Sequence, residues 1–324
     1  MKESEVIARL RRIATDPAAR GLADDVALLD GLVITHDTIA EGVHFLPSDP
    51  PASVGWKLVA VNLSDLAAKG ATPAAALLSL TISDDEWDEQ FLGGVEAACE
   101  SYALPLIGGD TIALPVSAPK VLGLTAIGRG GERVPDGAGG KAGDKLWLVG
   151  TIGDSAAGLA QLREDPRATG VLVDIYRRPV PLLGAGQVLA RHATAMMDVS
   201  DGLLLDALRL AQASGCVATI DIDSFPLTDA FSQAQGQDRE ARLFAATGGD
   251  DYALLAALPP GLDPSTLSLP SGTTITRIGS LEAGEPAIRL MSEGKPIESP
   301  EGLGFEHSGN DHGKRSASPV ADRH

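Results

Sequence analysis

The sequence predicts an α/β protein built as two domains, and three observations carry that prediction. The chain has 324 residues, which is long for one hydrophobic core and comfortable for two. Short apolar runs of strand length alternate with longer stretches of helical spacing, the pattern of α/β architectures. A Gly-rich stretch, Pro135-Asp136-Gly137-Ala138-Gly139-Gly140-Lys141-Ala142-Gly143-Asp144, separates two such patterns. It marks the boundary, so the domains are expected at 1–135 and 144–307, followed by a polar tail, 308–324, without periodicity and expected to be disordered.

Taken in order, Ser4 to Ala14 reads as a short helix capped by Ser4. Val26–Leu29 and Leu32–Thr35 read as strands about an Asp30-Gly31 hairpin turn. Ser53 to Lys69 has helical spacing, which the polar run Asn62-Leu63-Ser64-Asp65 is expected to interrupt. Ala74–Ile82 reads as a buried strand, and Asp84–Tyr102 as a helix whose acidic first turn suits the helix dipole. Leu104–Ile107 and Lys120–Ile127 are strand candidates. Beyond the boundary, strands are expected at Leu146–Val149, Ala195–Val199, Val217–Ile222, Tyr252–Ala257 and Ile275–Ile278. Helices are expected at Asp154–Leu162, 182–192, Gly202–Ala213 and Glu240–Ala246.

Composition narrows the function classes. A formal net charge of −18 argues against nonspecific nucleic-acid binding and against docking on anionic membrane, both of which need a basic surface. The two cysteines, Cys99 and Cys216, lie far apart in apolar stretches, so buried inert thiols are expected rather than a disulfide framework or a zinc site. The N-terminal stretch is amphipathic and charged, without the apolar core of a secretory signal. No apolar run is long enough to span a membrane, and a reduced cytoplasm is the expected location.

The chemistry is carried by aspartates at chain turns. Six clusters lie beside glycines or at predicted element junctions: Ala23-Asp24-Asp25, His36-Asp37-Thr38, Ser64-Asp65, Gly108-Gly109-Asp110-Thr111, Asp198-Val199-Ser200-Asp201-Gly202 and Gly248-Gly249-Asp250-Asp251. Each alone reads as a turn or a helix cap. Together they raise a different possibility, because carboxylates cannot converge without a cation to offset their repulsion. Hard oxygen donors without a Cys/His set point to Mg²⁺, which fills its shell with water and phosphate oxygens. A polyphosphate substrate follows. Neither GxxxxGK[ST] nor the GxGxxG kinase loop is present, so metals and the backbone amides of Gly108-Gly109 are the candidate nucleotide holders. His44, in Glu41-Gly42-Val43-His44-Phe45, reads as structural or surface when taken alone, and no Ser/His/Asp nucleophile arrangement is apparent.

These clusters, in this order, resemble the thiamine-monophosphate kinase family, which shares the fold of aminoimidazole-ribonucleotide synthetase and selenophosphate synthetase. The matching stretches are Ala23-Asp24-Asp25-Val26-Ala27, the run His36 to Phe45, the nearly intact motif from Lys57 to Pro73, Gly108-Gly109-Asp110-Thr111, Met197 to Leu203, and Gly248-Gly249-Asp250-Asp251-Tyr252. The resemblance implies an α/β two-domain fold whose N-terminal domain pairs with a second copy in a dimeric β-barrel. It implies Mg²⁺ at Asp25, Thr35, His36, Asp37, Asp65, Asp110, Asp198 and Asp201. ATP would meet Tyr102, Gly109, Asp110 and Ser200; thiamine monophosphate would meet His44, Asp250 and Phe305. His36 stands where the family has Ser or Thr, Asp250 replaces a Glu, and Gly137 occupies the position of an ATP-contacting Arg. The expected reaction is direct phosphoryl transfer from ATP to thiamine monophosphate by a homodimer. Another ATP-using enzyme of the same fold, or a non-catalytic nucleotide-binding protein, remains open at this point.

Overall fold

A computed structural model describes residues 3–115 and 118–307. The predicted tail, 308–324, lies outside the described residues. The first half contains α1 (Glu3–Leu10), β1 (Ala27–Leu29), β2 (Leu32–Ala40), α2 (Pro51–Ala68), β3 (Thr72–Ile82), α3 (Asp85–Ser101), β4 (Leu106–Ala113) and β5 (Val121–Arg129). Its sheet runs β1-β2-β5-β3-β4, antiparallel except for the β3–β4 pair, which α3 connects. Asp30 and Gly31 both have positive φ, the condition for a tight hairpin turn between β1 and β2.

The second half contains β6 (Lys145–Val149), α4 (Asp154–Glu164), α5 (Val171–Arg177), α6 (Leu183–Leu189), β7 (Ala195–Val199), α7 (Leu203–Ser214), β8 (Cys216–Asp221), α8 (Asp229–Gln235), α9 (Arg239–Thr247), β9 (Ala253–Leu258), β10 (Ile275–Ala283), β11 (Ala287–Ser292) and β12 (Lys295–Ile297). Its sheet runs β12-β11-β8-β10-β6-β9-β7. The Gly-rich stretch between the sheets is not a loose tether: Asp136 bridges to Ala195, and the Gly137 amide donates to the Asp24 carboxylate.

α2 is the axis of the molecule. One side packs on β2 and β5, and the other meets α6, β7 and β9. Every residue from Leu58 to Ala68 is buried, because the helix is sandwiched between the two sheets. The expected interruption at Asn62-Leu63-Ser64-Asp65 does not occur. The helix continues because these polar side chains find partners outside its own backbone: Asn62 Oδ1 accepts from the Asp37 amide and Ser64 donates to Asp198. A second correction concerns Gly108-Gly109-Asp110-Thr111, which lies inside strand β4 rather than at a turn.

Close helix contact explains Gly94 but not its neighbour Gly93. A Cβ built on Gly94 of α3 would stand 2.0 Å from the Ala52 carbonyl oxygen of α2, whereas one on neighbouring Gly93 meets nothing within 4 Å. Gly94→Ala is therefore expected to destabilise the fold by about 2–3 kcal/mol through overpacking. Gly93→Ala, on the solvent side of the same helix, is expected to stabilise it by about 0.5–1 kcal/mol through helix propensity. Urea midpoints of the two variants against the parent check the pair.

Candidate active site

Strand alternation and helix burial assemble a carboxylate cluster where the two halves meet. Period-two alternation along β2 turns Thr35 and Asp37 to one face and His36 and Thr38 to the other. Asp65 comes from buried α2, Asp198 from β7, and Asp25 from the segment just before β1. Asp25, Asp65 and Asp198 each offer a carboxylate oxygen, and these oxygens lie within 4.8 Å of one another. The Thr35 hydroxyl donates to Asp65 and bridges to the Asp25 carbonyl at 3.2 Å; the Ser64 hydroxyl donates to Asp198 at 2.6 Å.

Packing acids together out of water raises their proton affinity. Desolvation, then the charges of Asp25 and Asp201, push Asp37 up to about 6. Asp198 is pushed up to about 7 by desolvation and Asp25. Asp65 is held well above the usual carboxylate range, by burial and then by Asp37, Asp198 and Asp25. Two cations stand at the edge. Buried Lys69 pairs with Asp24 at 2.5 Å and donates to the Met196 carbonyl, and Asp24 also pairs with Arg20. Arg209 pairs with Asp201 at 2.5 Å. Asp206 accepts the amides of Ser200 and Asp201, which fixes the turn between β7 and α7.

A second group of side chains adjoins the first. His44 lies in a tight turn after β2, its Nδ1 accepting the Ala40 amide, so the ring proton sits on Nε2. Its ring is 5.3 Å from that of His307, which stands edge-on to Phe305 at 4.8 Å. The Phe305 amide donates to the Asp201 carbonyl, tying this terminal segment to the loop that carries Asp201. Asp250 and Tyr252 lie in the turn between α9 and β9, both with positive φ. The Asp250 amide donates to the Ser200 carbonyl at 2.7 Å. The structure therefore gathers Asp25, Thr35, Asp37, Asp65, Asp198, Ser200 and Asp201 in one region, with His44, Asp250 and Phe305 linked to it through named contacts.

Four expected residues stand apart within the single chain. The His36 ring points to the opposite face of β2, bonded to Thr125 and close to Thr38, because neighbouring strand residues alternate. Asp110 and Gly109 lie on β4 at the sheet edge. Asp110 is in register with Ser79, Ser79 with Gly123, and Gly123 with Thr38. Three strand spacings put Asp110 about 14 Å from β2. Tyr102, at the end of α3, meets Trp56 edge-on at 5.6 Å.

Reading the sequence alone passed over Lys57, Lys69, Asp206, Arg209, Tyr176 and Tyr252. A signal existed for the two lysines: each interrupts an apolar helical stretch, Trp56-Lys57-Leu58-Val59 and Ala67-Ala68-Lys69, where an ammonium must be buried and partnered.

The chain matches two family models, the AIR synthase related protein N-terminal domain over residues 23–129 and its C-terminal domain over residues 141–287. It is 37% identical over 309 residues to a thiamine-monophosphate kinase of Salmonella typhimurium, covering 90% of this chain and 91% of that one. A thiamine-monophosphate kinase of Escherichia coli is 37% identical over 294 residues, 86% of this chain and 88% of the other. Among solved structures, AaThiL complexed with AMPPCP and TMP superposes with a TM-score of 0.81 at 31% identity, over 95% of this chain and 97% of that chain. On the two matched domains and on identity sustained along nearly the whole length, the chain belongs to the thiamine-monophosphate kinase family of AIR synthase related proteins.

Proposed function

We propose that this chain transfers the γ-phosphoryl group of ATP to thiamine monophosphate, giving ADP and thiamine diphosphate. The observation that carries the reading is the meeting of Asp25, Asp65 and Asp198, three carboxylates from separate segments with oxygens within 4.8 Å. A relative covering most of the chain holds an ATP analogue and TMP, which supplies the substrate pair.

The donor set suits Mg²⁺. It is all oxygen, with no cysteine or histidine ring among the converging groups, and its acids are held above their usual range by mutual repulsion and desolvation, which a divalent cation relieves. Asp25, Thr35, Asp37, Asp65, Asp198 and Asp201 are the proposed ligands. When bound, Mg²⁺ neutralises the charge between two phosphates and orients them for in-line transfer.

The chain's own groups do the rest of the positioning. The acceptor is a phosphate monoester with a second pKa near ~6, so it arrives largely dianionic and needs no general base. The lack of a His–Asp pair among the converging residues fits that economy. His44, Asp250 and Phe305 are the proposed contacts of the thiamine moiety, and Ser200 of ATP.

Asp110, Gly109 and Tyr102 are proposed to act across a homodimer seam. β4 is exposed along its length, with Ile107 63% and Ile112 50% accessible, an apolar edge suited to pairing with a second copy in a β-barrel. The acidic surface fits neither nucleic acid nor anionic membrane as partner. Among the described residues no helix is long and apolar enough to cross a membrane, and a cytoplasmic location is proposed.

Two measurements follow. ADP release by the purified chain should depend on thiamine monophosphate, and Asp65→Asn or Asp198→Asn should lower it by more than about 100-fold at saturating Mg²⁺. Activity surviving within a few-fold would sink a metal-centred site. The second is pH dependence. Asp37 near 6 and Asp198 near 7 bind protons in the fold that the unfolded chain, at 3.8, has already released. Stability of the metal-free protein should therefore fall as pH rises from about 4 to about 7. Melting temperature without divalent ions should be lower at about pH 8 than at about pH 5, and added Mg²⁺ should raise it more at the higher pH. Equal Mg²⁺ shifts at both values would place the ion elsewhere.

A further inference from the structure

Lys57 lies in α2 with its side chain only 2% exposed. Its ammonium has three partners from three distant segments. It donates to the His44 carbonyl at 3.1 Å and to Asp250 Oδ2 at 2.8 Å, and it stands 4.1 Å above the Tyr176 ring in α5. The other carboxylate oxygen of Asp250 accepts the Tyr252 hydroxyl at 2.7 Å. Both Asp250 and Tyr252 hold backbone conformations with positive φ, which non-glycine residues adopt only where their surroundings compel it.

A buried ammonium is costly unless fully partnered, and a lysine used only to fill space in an apolar helix is better replaced by methionine. Here the cost is matched to a task. The ammonium fixes the plane of the Asp250 carboxylate, cancels its charge, and fixes the main chain that carries the His44 ring. Asp250 keeps 25% of its side chain accessible, so the pinned carboxylate still faces outward as an oriented acceptor.

We infer that Lys57 is a positioning residue for the acceptor substrate, holding His44 and Asp250 in the geometry that receives the organic part of thiamine monophosphate. This rests on the kinase reading given above, which makes His44 and Asp250 the acceptor contacts. The contacts of Lys57 are the His44 carbonyl, Asp250 and the Tyr176 ring rather than the converging carboxylates, so it sets acceptor affinity and leaves the transfer step and nucleotide binding alone. Neutralised by Lys57, Asp250 contributes direction rather than net attraction for a cation, which favours a donor N–H on the acceptor over an indiscriminate positive charge.

The test is steady-state ADP release with each substrate varied separately. In Lys57→Met, KM for thiamine monophosphate should rise by about 10-fold or more, with kcat within about 3-fold and KM for ATP unchanged. Lys57→Gln, which keeps a donor for the His44 carbonyl without the charge, gives the same readout if the methionine variant does not fold. Combining Lys57→Met with Asp250→Asn should raise that KM no further than Asp250→Asn alone, because Lys57 acts largely through Asp250. An acceptor KM within 2-fold of the parent, a parallel rise for both substrates, or additive effects in the double variant would each overturn the assignment. Absence of turnover by the unmodified chain would instead remove the kinase reading, and this inference with it.

Discussion

Everything in this molecule is organised by the rule that a charge taken out of water must be met by a partner. α2 is buried from Leu58 to Ala68, yet carries or adjoins Lys57, Asn62, Ser64, Asp65 and Lys69. Apart from the Asn62 amide group, which donates to the Leu58 carbonyl, these side chains find their partners outside the helix. Lys57 reaches Asp250, Asn62 receives Asp37, Ser64 reaches Asp198, Asp65 accepts Thr35, and Lys69 meets Asp24 and the Met196 carbonyl. Satisfying one helix therefore draws together a strand of the first sheet, a strand and a loop of the second, and the segment ahead of β1. The site is the by-product of that requirement.

The same arrangement carries a cost. Asp25, Asp37, Asp65 and Asp198 have raised proton affinities, first because burial strips them of water and second because they repel one another. Such crowding weakens a bare fold and is retained where function needs it. The surrounding framework compensates with apolar packing: each sheet has its own core, and a third cluster of mostly small residues, including Ala67, Ala185, Ala190, Ala193 and Ala256, seals the seam between them.

Much of this was legible in the sequence. The alternation of strands and helices is a local feature and survives translation into structure, whereas the aspartate clusters at His36–Thr38, Ser64-Asp65 and Gly108–Thr111 lie inside β2, α2 and β4 rather than at turns. The family resemblance groups Asp25, Asp37, Asp65, Asp110, Asp198 and Asp201; the carboxylates of Asp25, Asp65 and Asp198 lie within 4.8 Å of one another, whereas Asp110 stands apart on β4. What could not be read were properties of the assembled chain. Asn62 to Asp65 looked like a break because their partners lie far away in sequence. Gly108 to Thr111 looked like a turn because glycine is ambiguous between a turn and an edge strand. His36 was grouped with Asp37 by adjacency, although one residue along a strand reverses the face. Lys57 and Lys69 were visible as ammonium groups in apolar surroundings, but their partners, 193 and about 45 positions away, were not.

The seam between the sheets also constrains how the molecule moves. A Cβ on Gly186 of α6 would lie 1.9 Å from the Ala67 carbonyl oxygen of α2, so the two backbones are in direct contact. Rotating one half away from the other would strip Lys57 of the Asp250 carboxylate and Lys69 of the Met196 carbonyl, and wet a dry alanine-lined face. Hinge opening of the kind that admits substrates to many two-lobed transferases would carry that cost here. The seam is therefore a fixed joint, and any segmental movement at the site falls to the parts that lie outside it.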